Sequence, residues 1–315
     1  MIRLLINSMK KPSIEKYIKI KSDVKKAIES HQPIVALETS VLTHGLPFDT
    51  NIKNSQKLEE IIKEKGATPA TIGLIDGIVH VGMDIQEIEY LATSANLRKI
   101  SLRDIAFSLS QGLSGGTTVA GTLKVASLVG IKVFATGGIG GVHRGSLIDV
   151  SADIDALATY PIITVCSGAK SILDLKSTLE ILESKGIPVL GLRTDDLPAF
   201  FSNHSGIKVP MRVESTKDIV STAKNHWNLK LQQAILVTVP LPSEKAIPNQ
   251  IIEKAINNAL EKASVKKIQG AAITPFLLKE VSKITHGKSM LANLALLENN
   301  ARIAAEIALE LGKYY

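Results

Sequence analysis

Two textures of apolar residue alternate along the chain. Short, nearly unbroken aliphatic runs at 34–37, 131–136, 162–166, 187–192 and 234–239 read as fully buried strands. Between them, longer stretches with apolar residues every three or four positions read as helices. The spacing predicts helices over 22–30, 51–65, 84–94, 105–111, 117–129, 170–185, 216–225, 248–263 and 289–311. Asp76-Gly77, between two short apolar runs, is a hairpin signal. Gly115-Gly116 reads as a turn that launches a helix, and residues 200–215 as a hairpin-like excursion. Strand-like runs buried on both faces, alternating with helices over short links, indicate an α/β fold with a largely parallel sheet flanked by helices. There is no linker, repeat or low-complexity tract, so one domain over 33–312 is expected, preceded by a basic extension and helix at 1–32.

Composition narrows this picture. Of 315 residues 45% are hydrophobic but only 4% aromatic, so the core must be aliphatic. The net charge of +7 comes from lysines scattered over predicted helix faces. A polynucleotide groove would gather them into a stripe with interleaved aromatics, whereas a small anion such as a phosphate fits scattered charge. The one cysteine, Cys166, rules out an internal disulfide and suits a reducing cytoplasm. No apolar run is long enough to span a membrane, and MIRLLINSMKKPS lacks the features of a secretory signal.

Reactive residues concentrate between Gly112 and Lys170. GGIGGVHRG follows a strand but has neither the spacing nor the helix start of a dinucleotide fingerprint, and no P-loop is present. Its glycines either let backbone N–H groups approach an anion or simply make tight turns. Asp149 and Asp153 flank Ser151 near a helix start. They could hold Mg²⁺ or Mn²⁺ through hard oxygen ligands, or cap that helix. Lys170 follows the strand at 162–166. At the start of the helix expected over 170–185 a positive charge opposes the dipole, which points to use as a nucleophile, while a solvated lysine remains the alternative. Glu38, at the carboxyl end of the strand at 34–37, could exchange protons with a substrate or form a salt bridge at the sheet edge. Lys99, His143 and Asn293 are open to the plainer readings of a surface lysine, a loop histidine and a hydrogen-bonded helix asparagine.

Taken together, IVALETSVLTHGLP, TPATIGLIDGIVHVGM, KISLRDI, GGTTVAGT, FATGGIGGVHRG, DVSADIDALA, VCSGAKSILDL, GIPVLGLRTDDLPAF and NLALLENNARIAAEIA resemble, in order and over nearly the whole chain, the pseudouridine-5′-phosphate glycosidases of the indigoidine synthase A-like family. The resemblance implies a three-layer α/β/α fold and a cytoplasmic homotrimer. It implies reversible cleavage of the C–C glycosidic bond of pseudouridine 5′-phosphate to uracil and ribose 5-phosphate, a lyase reaction. By that pattern Lys170 is the nucleophile that forms an imine with the opened ribose, and Glu38 the proton donor. Asp149 holds one Mn²⁺ per subunit. Lys99, Val119, Ser151, Ala152 and Asp153 contact substrate, and His143 and Asn293 occupy further active-site positions. DVSAD stands for the commoner DISAD, and Leu102 stands where many members carry an arginine, a change that bears on phosphate binding. The alternatives are a related lyase on another phosphorylated C-nucleoside or sugar, and a non-catalytic sugar-phosphate binding protein.

Overall fold

The computed structural model describes residues 14–44, 48–145, 149–268 and 273–314. Its elements run β1 (Ile18–Ile20), α1 (Ser22–Glu29), β2 (Ile34–Leu37), α2 (Ser40–His44), α3 (Phe48–Glu64), β3 (Thr68–Ile75), β4 (Ile78–Val81), α4 (Ile85–Thr93), β5 (Arg98–Ile100), α5 (Leu102–Ser110), β6 (Gly115–Thr117), α6 (Val119–Leu128), β7 (Val133–Ala135) and β8 (Val142–His143). The second half follows as α7 (Ala152–Leu157), β9 (Ile163–Cys166), β10 (Leu173–Asp174), α8 (Leu175–Ser184), β11 (Val189–Leu192), β12 (Met211–Val213), α9 (Thr216–Asn228), β13 (Ile235–Thr238), α10 (Asn249–Val265), α11 (Ile273–Ile284) and α12 (Lys288–Gly312).

The main sheet has the order β1-β4-β3-β2-β7-β9-β13-β11-β12. From β3 to β12 every neighbour is parallel, and every residue of β2, β7, β9, β11 and β13 is buried. That burial is why these strands lack the alternation of a half-exposed strand. β3 pairs β2 over Thr68–Thr71, then continues into antiparallel pairing with β4, around the expected Asp76-Gly77 turn, and with β6. β5 lies parallel to β6. Helix α12 crosses β2, β7 and β9 with α3 and α9 beside it, while α6 lies against β2 and β3 with α7 alongside. The α12 face toward the sheet is rich in alanine, with Ala292, Ala301, Ala304, Ala305 and Ala308 all buried, so the long helix sits close.

The structure departs from the sequence pattern in four places. No helix begins at Lys170. Gly168 has φ +82°, residues 173–174 are extended to pair antiparallel with β8, and α8 starts at Leu175, where Asp174 accepts a hydrogen bond from the Ser177 N–H at 2.9 Å. The dipole argument for Lys170 therefore fails. Gly115 and Gly116 form strand β6 rather than a turn; glycine is needed there because a Cβ at Gly116 would lie 2.5 Å from the Thr39 carbonyl oxygen. The excursion after β11 is no hairpin: Phe200, Phe201 and Val209 fold into the core, and β12 returns parallel to β11. Within the basic extension, β1 pairs parallel with β4 and the α1 residues Val24 and Ala27 are buried in the core, so residues 18–29 are built into the domain.

Candidate functional site

The chain leaves β2 toward β3 on one side of the sheet and leaves β7 toward β9 on the other. The carboxyl ends of β2 and β7 thus flank a topological switch point, where a doubly wound sheet opens a crevice. Glu38 follows β2 directly and Thr136 follows β7. The Thr136 hydroxyl donates to one Glu38 carboxylate oxygen across this crevice, and the Ser40 hydroxyl donates to the other. Burial pushes the Glu38 carboxyl above the usual carboxylate range. Lys170, Ser40 and Thr136 oppose that shift, and Asp153 adds to it.

Lys99 reaches the same crevice from β5. Strand β6 carries it there, stitched to β2 and β3 by two threonines: both the Thr39 and Thr117 hydroxyls donate to the Ile72 carbonyl at 2.7 Å, and the Thr117 N–H donates to Thr39 Oγ1 at 3.0 Å. Burial, and then the charge of Lys170, lower the Lys99 pKa, with Asp153 and Glu38 pulling the other way. Two amines and two carboxylates, from β5, the loop after β9, the end of β2 and α7, therefore act on one another in one space.

Asp153 organises the floor. It is buried, accepts from the Ala120 N–H at 3.0 Å and from the Gly140 N–H at 2.8 Å, and so joins the start of α6 to the glycine loop after β7. Gly140 is required: a Cβ there would lie 2.5 Å from Ser151 Cβ and 2.8 Å from Asp153 Oδ2. Ser151 caps α7, accepting from the Asp153 N–H at 3.2 Å. Ala152, next to it, is exposed, and Val119, the first residue of α6, is buried. Lys170 sits on a loop that runs beside the glycine loop. Ile139 N–H donates to the Gly168 carbonyl at 3.1 Å and Lys170 N–H to the Ile139 carbonyl at 3.0 Å.

His143 lies on β8, opposite Leu173. Next to it, Arg144 makes a bidentate pair with Glu253 of α10 at 2.7 and 2.8 Å and donates to the carbonyls of Ser171 and Leu173, so it fixes the loop that carries Lys170. Leu102 starts α5 and packs against the core. Asn293 is buried in α12, two turns before Asn300. Asp149 is exposed, and its carbonyl accepts from the His143 N–H at 2.9 Å. Sequence reasoning missed Ser40, Thr136 and Asn300. The available signals were slight: hydroxyl residues just past the ends of two buried strands, and a second asparagine in an alanine-rich helix.

The sequence pattern described as indigoidine synthase A like protein matches residues 23–310. The chain belongs to the indigoidine synthase A-like family. Relatives in this family include the pseudouridine-5′-phosphate glycosidases of Caldanaerobacter subterraneus, 46% identical over 96% of this chain and 99% of that protein, and of Petrotoga mobilis, 47% identical over 93% and 97%. An indigoidine synthase A-like protein of Thermotoga maritima superposes with a TM-score of 0.87 at 36% identity, covering 94% of this chain and 97% of the other. The prealnumycin C-glycosynthase AlnA, solved with ribulose 5-phosphate, gives 0.88 at 35%, covering 95% and 98%. The three-layer α/β expectation agrees with these neighbours.

For this member of the indigoidine synthase A-like family, the donor set limits what metal could bind. Among the described residues no group of three His, Cys, Asp or Glu side chains is placed to hold an ion. An exposed carboxylate such as Asp149 does not make a closed cage. It fits a hard divalent cation that keeps most of its water and takes further oxygens from a substrate.

Proposed function

We propose that this protein is a pseudouridine-5′-phosphate glycosidase, cleaving the C–C bond between uracil C5 and ribose C1′ reversibly, in the cytoplasm and as a homotrimer. The names and near-complete coverage of its relatives support the reading. The observation that carries it is the half-buried Glu38 carboxyl, held by two hydroxyls and faced by two amines. Uracil C5 is a poor leaving group, so the reaction needs an electron pair pushed in at C1′ and a proton at C5, which makes the uracil ring the acceptor of the breaking bond's electrons. The Lys170 amine adds to C1′ as the bond from C1′ to the ring oxygen opens, and the released oxygen takes a proton. Glu38, whose raised pKa keeps it protonated to higher pH than an ordinary carboxyl, donates a proton to C5. The Lys170 nitrogen lone pair then forms the C1′–N double bond as the C1′–C5 bond breaks, and uracil leaves. Water hydrolyses the imine, releasing ribose 5-phosphate and restoring the amine.

Lys99 has the charge to bind the ribose phosphate or a uracil oxygen, and the α6 and α7 starts at Val119 and Ser151–Asp153 shape the sugar subsite. His143 and Asn293 complete its walls. Asp149 would hold Mn²⁺ together with water and substrate oxygens, and the ion would supply positive charge for the substrate's anionic end.

The test is to incubate the protein with pseudouridine 5′-phosphate and Mn²⁺ and follow uracil by chromatography. Wild type releases uracil and ribose 5-phosphate in equal amounts, borohydride traps a ribose-phosphate adduct on Lys170, and Lys170→Ala abolishes turnover. Absence of uracil overturns the reading, and an adduct on another lysine moves the nucleophile. The likeness to a C-glycosynthase favours a second reading, a C-glycoside enzyme with a different aglycone on the same sugar phosphate. A panel of phosphorylated C-nucleosides separates the two.

A further inference from the structure

Asn300 is fully buried in α12. Its side-chain nitrogen donates to the Thr136 carbonyl at 2.8 Å and lies 3.2 Å from the Ser167 hydroxyl oxygen and 3.4 Å from the Gly137 carbonyl, and its side-chain carbonyl accepts from the Ser167 hydroxyl at 3.3 Å. One amide thus grips the first residue after β7 and the first residue after β9. Thr136 carries the hydroxyl that holds Glu38, and Ser167 begins the four-residue turn that ends at Lys170. The backbone adds three ties between the two loops: the Ser167 N–H donates to the Gly137 carbonyl at 2.9 Å, the Ile139 N–H to the Gly168 carbonyl at 3.1 Å and the Lys170 N–H to the Ile139 carbonyl at 3.0 Å, and among the described residues the Asn300 side chain is the one tie that comes from outside both loops. A buried amide with both ends bonded holds its partners in one geometry, and losing it would strand a buried carbonyl and a buried hydroxyl.

We propose that Asn300 is a positioning residue that sets the register between the proton donor and the nucleophile, holding Thr136 against Glu38 with one end and the Lys170 loop with the other. It rests on the reading of Glu38 and Lys170 given above. Around Asn300 the buried face of α12 is apolar, with Leu296, Leu297, Ala301 and Ala304, so the amide serves no packing need that an apolar side chain would not meet. Its two partners are the roots of the two chemically active loops.

The consequence reaches the ionisation of Glu38. The charged groups that face it are Lys170 from the loop after β9, Lys99 from β5 and Asp153 from α7. On the α3 side the cavity behind Glu38 is lined by the neutral Asn51, Asn54 and Ser55 and by Thr71, whose hydroxyl donates to Glu59. On the α12 side it is lined by Leu297. The Thr136 hydroxyl favours the ionised carboxylate, so releasing Thr136 raises the Glu38 pKa further.

The experiment reads Glu38 with and without substrate, in wild type, Asn300→Ser, Thr136→Val and their double variant, with Asn299→Ala as a helix control. Asn299, next in the helix, donates to the Pro240 carbonyl at 3.2 Å and touches neither loop root among the described residues' hydrogen bonds. Carboxyl ¹³C NMR of glutamate-labelled protein follows the Glu38 titration directly, and uracil release gives kcat, KM and their pH profiles. Asn300→Ser is expected to lower kcat about 10- to 100-fold with KM little changed. It should move the Glu38 titration and the high-pH limb upward by about half a unit or more, in the direction of Thr136→Val. The double variant should move them no further than either single variant. A folded Asn300→Ser with the wild-type Glu38 titration, while Thr136→Val shifts it, overturns the proposal, as does an Asn299→Ala shift of the same size. Should Asn300→Ser not fold, Asn300→Thr is measured by the same two readouts and judged by the same outcomes. The NMR titration stands whether or not wild type makes uracil, so failure of the glycosidase reading and failure of this one are told apart.

Discussion

Glu38 carries opposing influences. Burial pushes its carboxyl up, while Lys170 and the hydroxyls of Ser40 and Thr136 favour the ionised form; burial dominates, and the pKa is raised. For a proton donor the protonated form is the active one. The fraction of Glu38 able to donate is therefore expected to be full below the raised pKa and to fall about tenfold per pH unit above it, which places the limb Glu38 controls higher than an ordinary carboxylate gives. A pH series of kcat/KM checks this, and Glu38→Gln, which cannot donate, is expected to lose about 10²- to 10⁴-fold and the limb with it. The glutamate and its place after a buried strand were legible in the sequence. Its holders were not, because Ser40 is a common residue two positions on, and Thr136 is 98 positions away, joined only by the pairing of β2 with β7.

At the scale of elements, the loops after β7 and β9 depend on backbone fit. Gly168 combines φ +82° with a backbone against Pro198, whose carbonyl oxygen an added Cβ would overlap. Gly168→Ala is expected to cost on the order of 1–3 kcal/mol in urea unfolding and to slow turnover by displacing Lys170. The same glycine bears on why the helix expected at Lys170 starts five residues later: Gly168 turns the chain at positive φ, and residues 173–174 pair with β8 in place of helical hydrogen bonds. Farther from the site, Glu280 of α11 is bonded by Lys283 and by Lys262 of α10, and these hold its carboxyl down at about 2. A depressed acid contributes stability that is complete above the unfolded carboxyl value near 4.5 and is lost as pH falls toward 2. Urea midpoints at pH 7, 4 and 2.5 are expected to fall less steeply for Glu280→Gln than for wild type.

At the scale of the whole molecule, α12 spans the strands whose ends build the crevice, so core and site share one helix. Leu296 is fully buried between Asn293 and Asn300, and Leu296→Ala is expected to cost about 2–5 kcal/mol by equilibrium denaturation. Among the described residues no helix is long and apolar enough to cross a membrane. The alternation of buried runs and amphipathic stretches determined the α/β class, the parallel centre of the sheet and most helices, because burial on both faces and helical periodicity are local patterns of side-chain chemistry. The motifs also marked Glu38, Lys99, Asp153 and Lys170 as reactive. Tertiary structure decided what sequence spacing could not express: that β2 and β7 meet at a switch point, that Gly115 and Gly116 serve strand contact, and that one buried asparagine in the last helix bonds the roots of two distant loops. Each of these depends on contacts between residues tens to hundreds of positions apart, and no local pattern records which distant partner a hydroxyl, a glycine or an amide will meet.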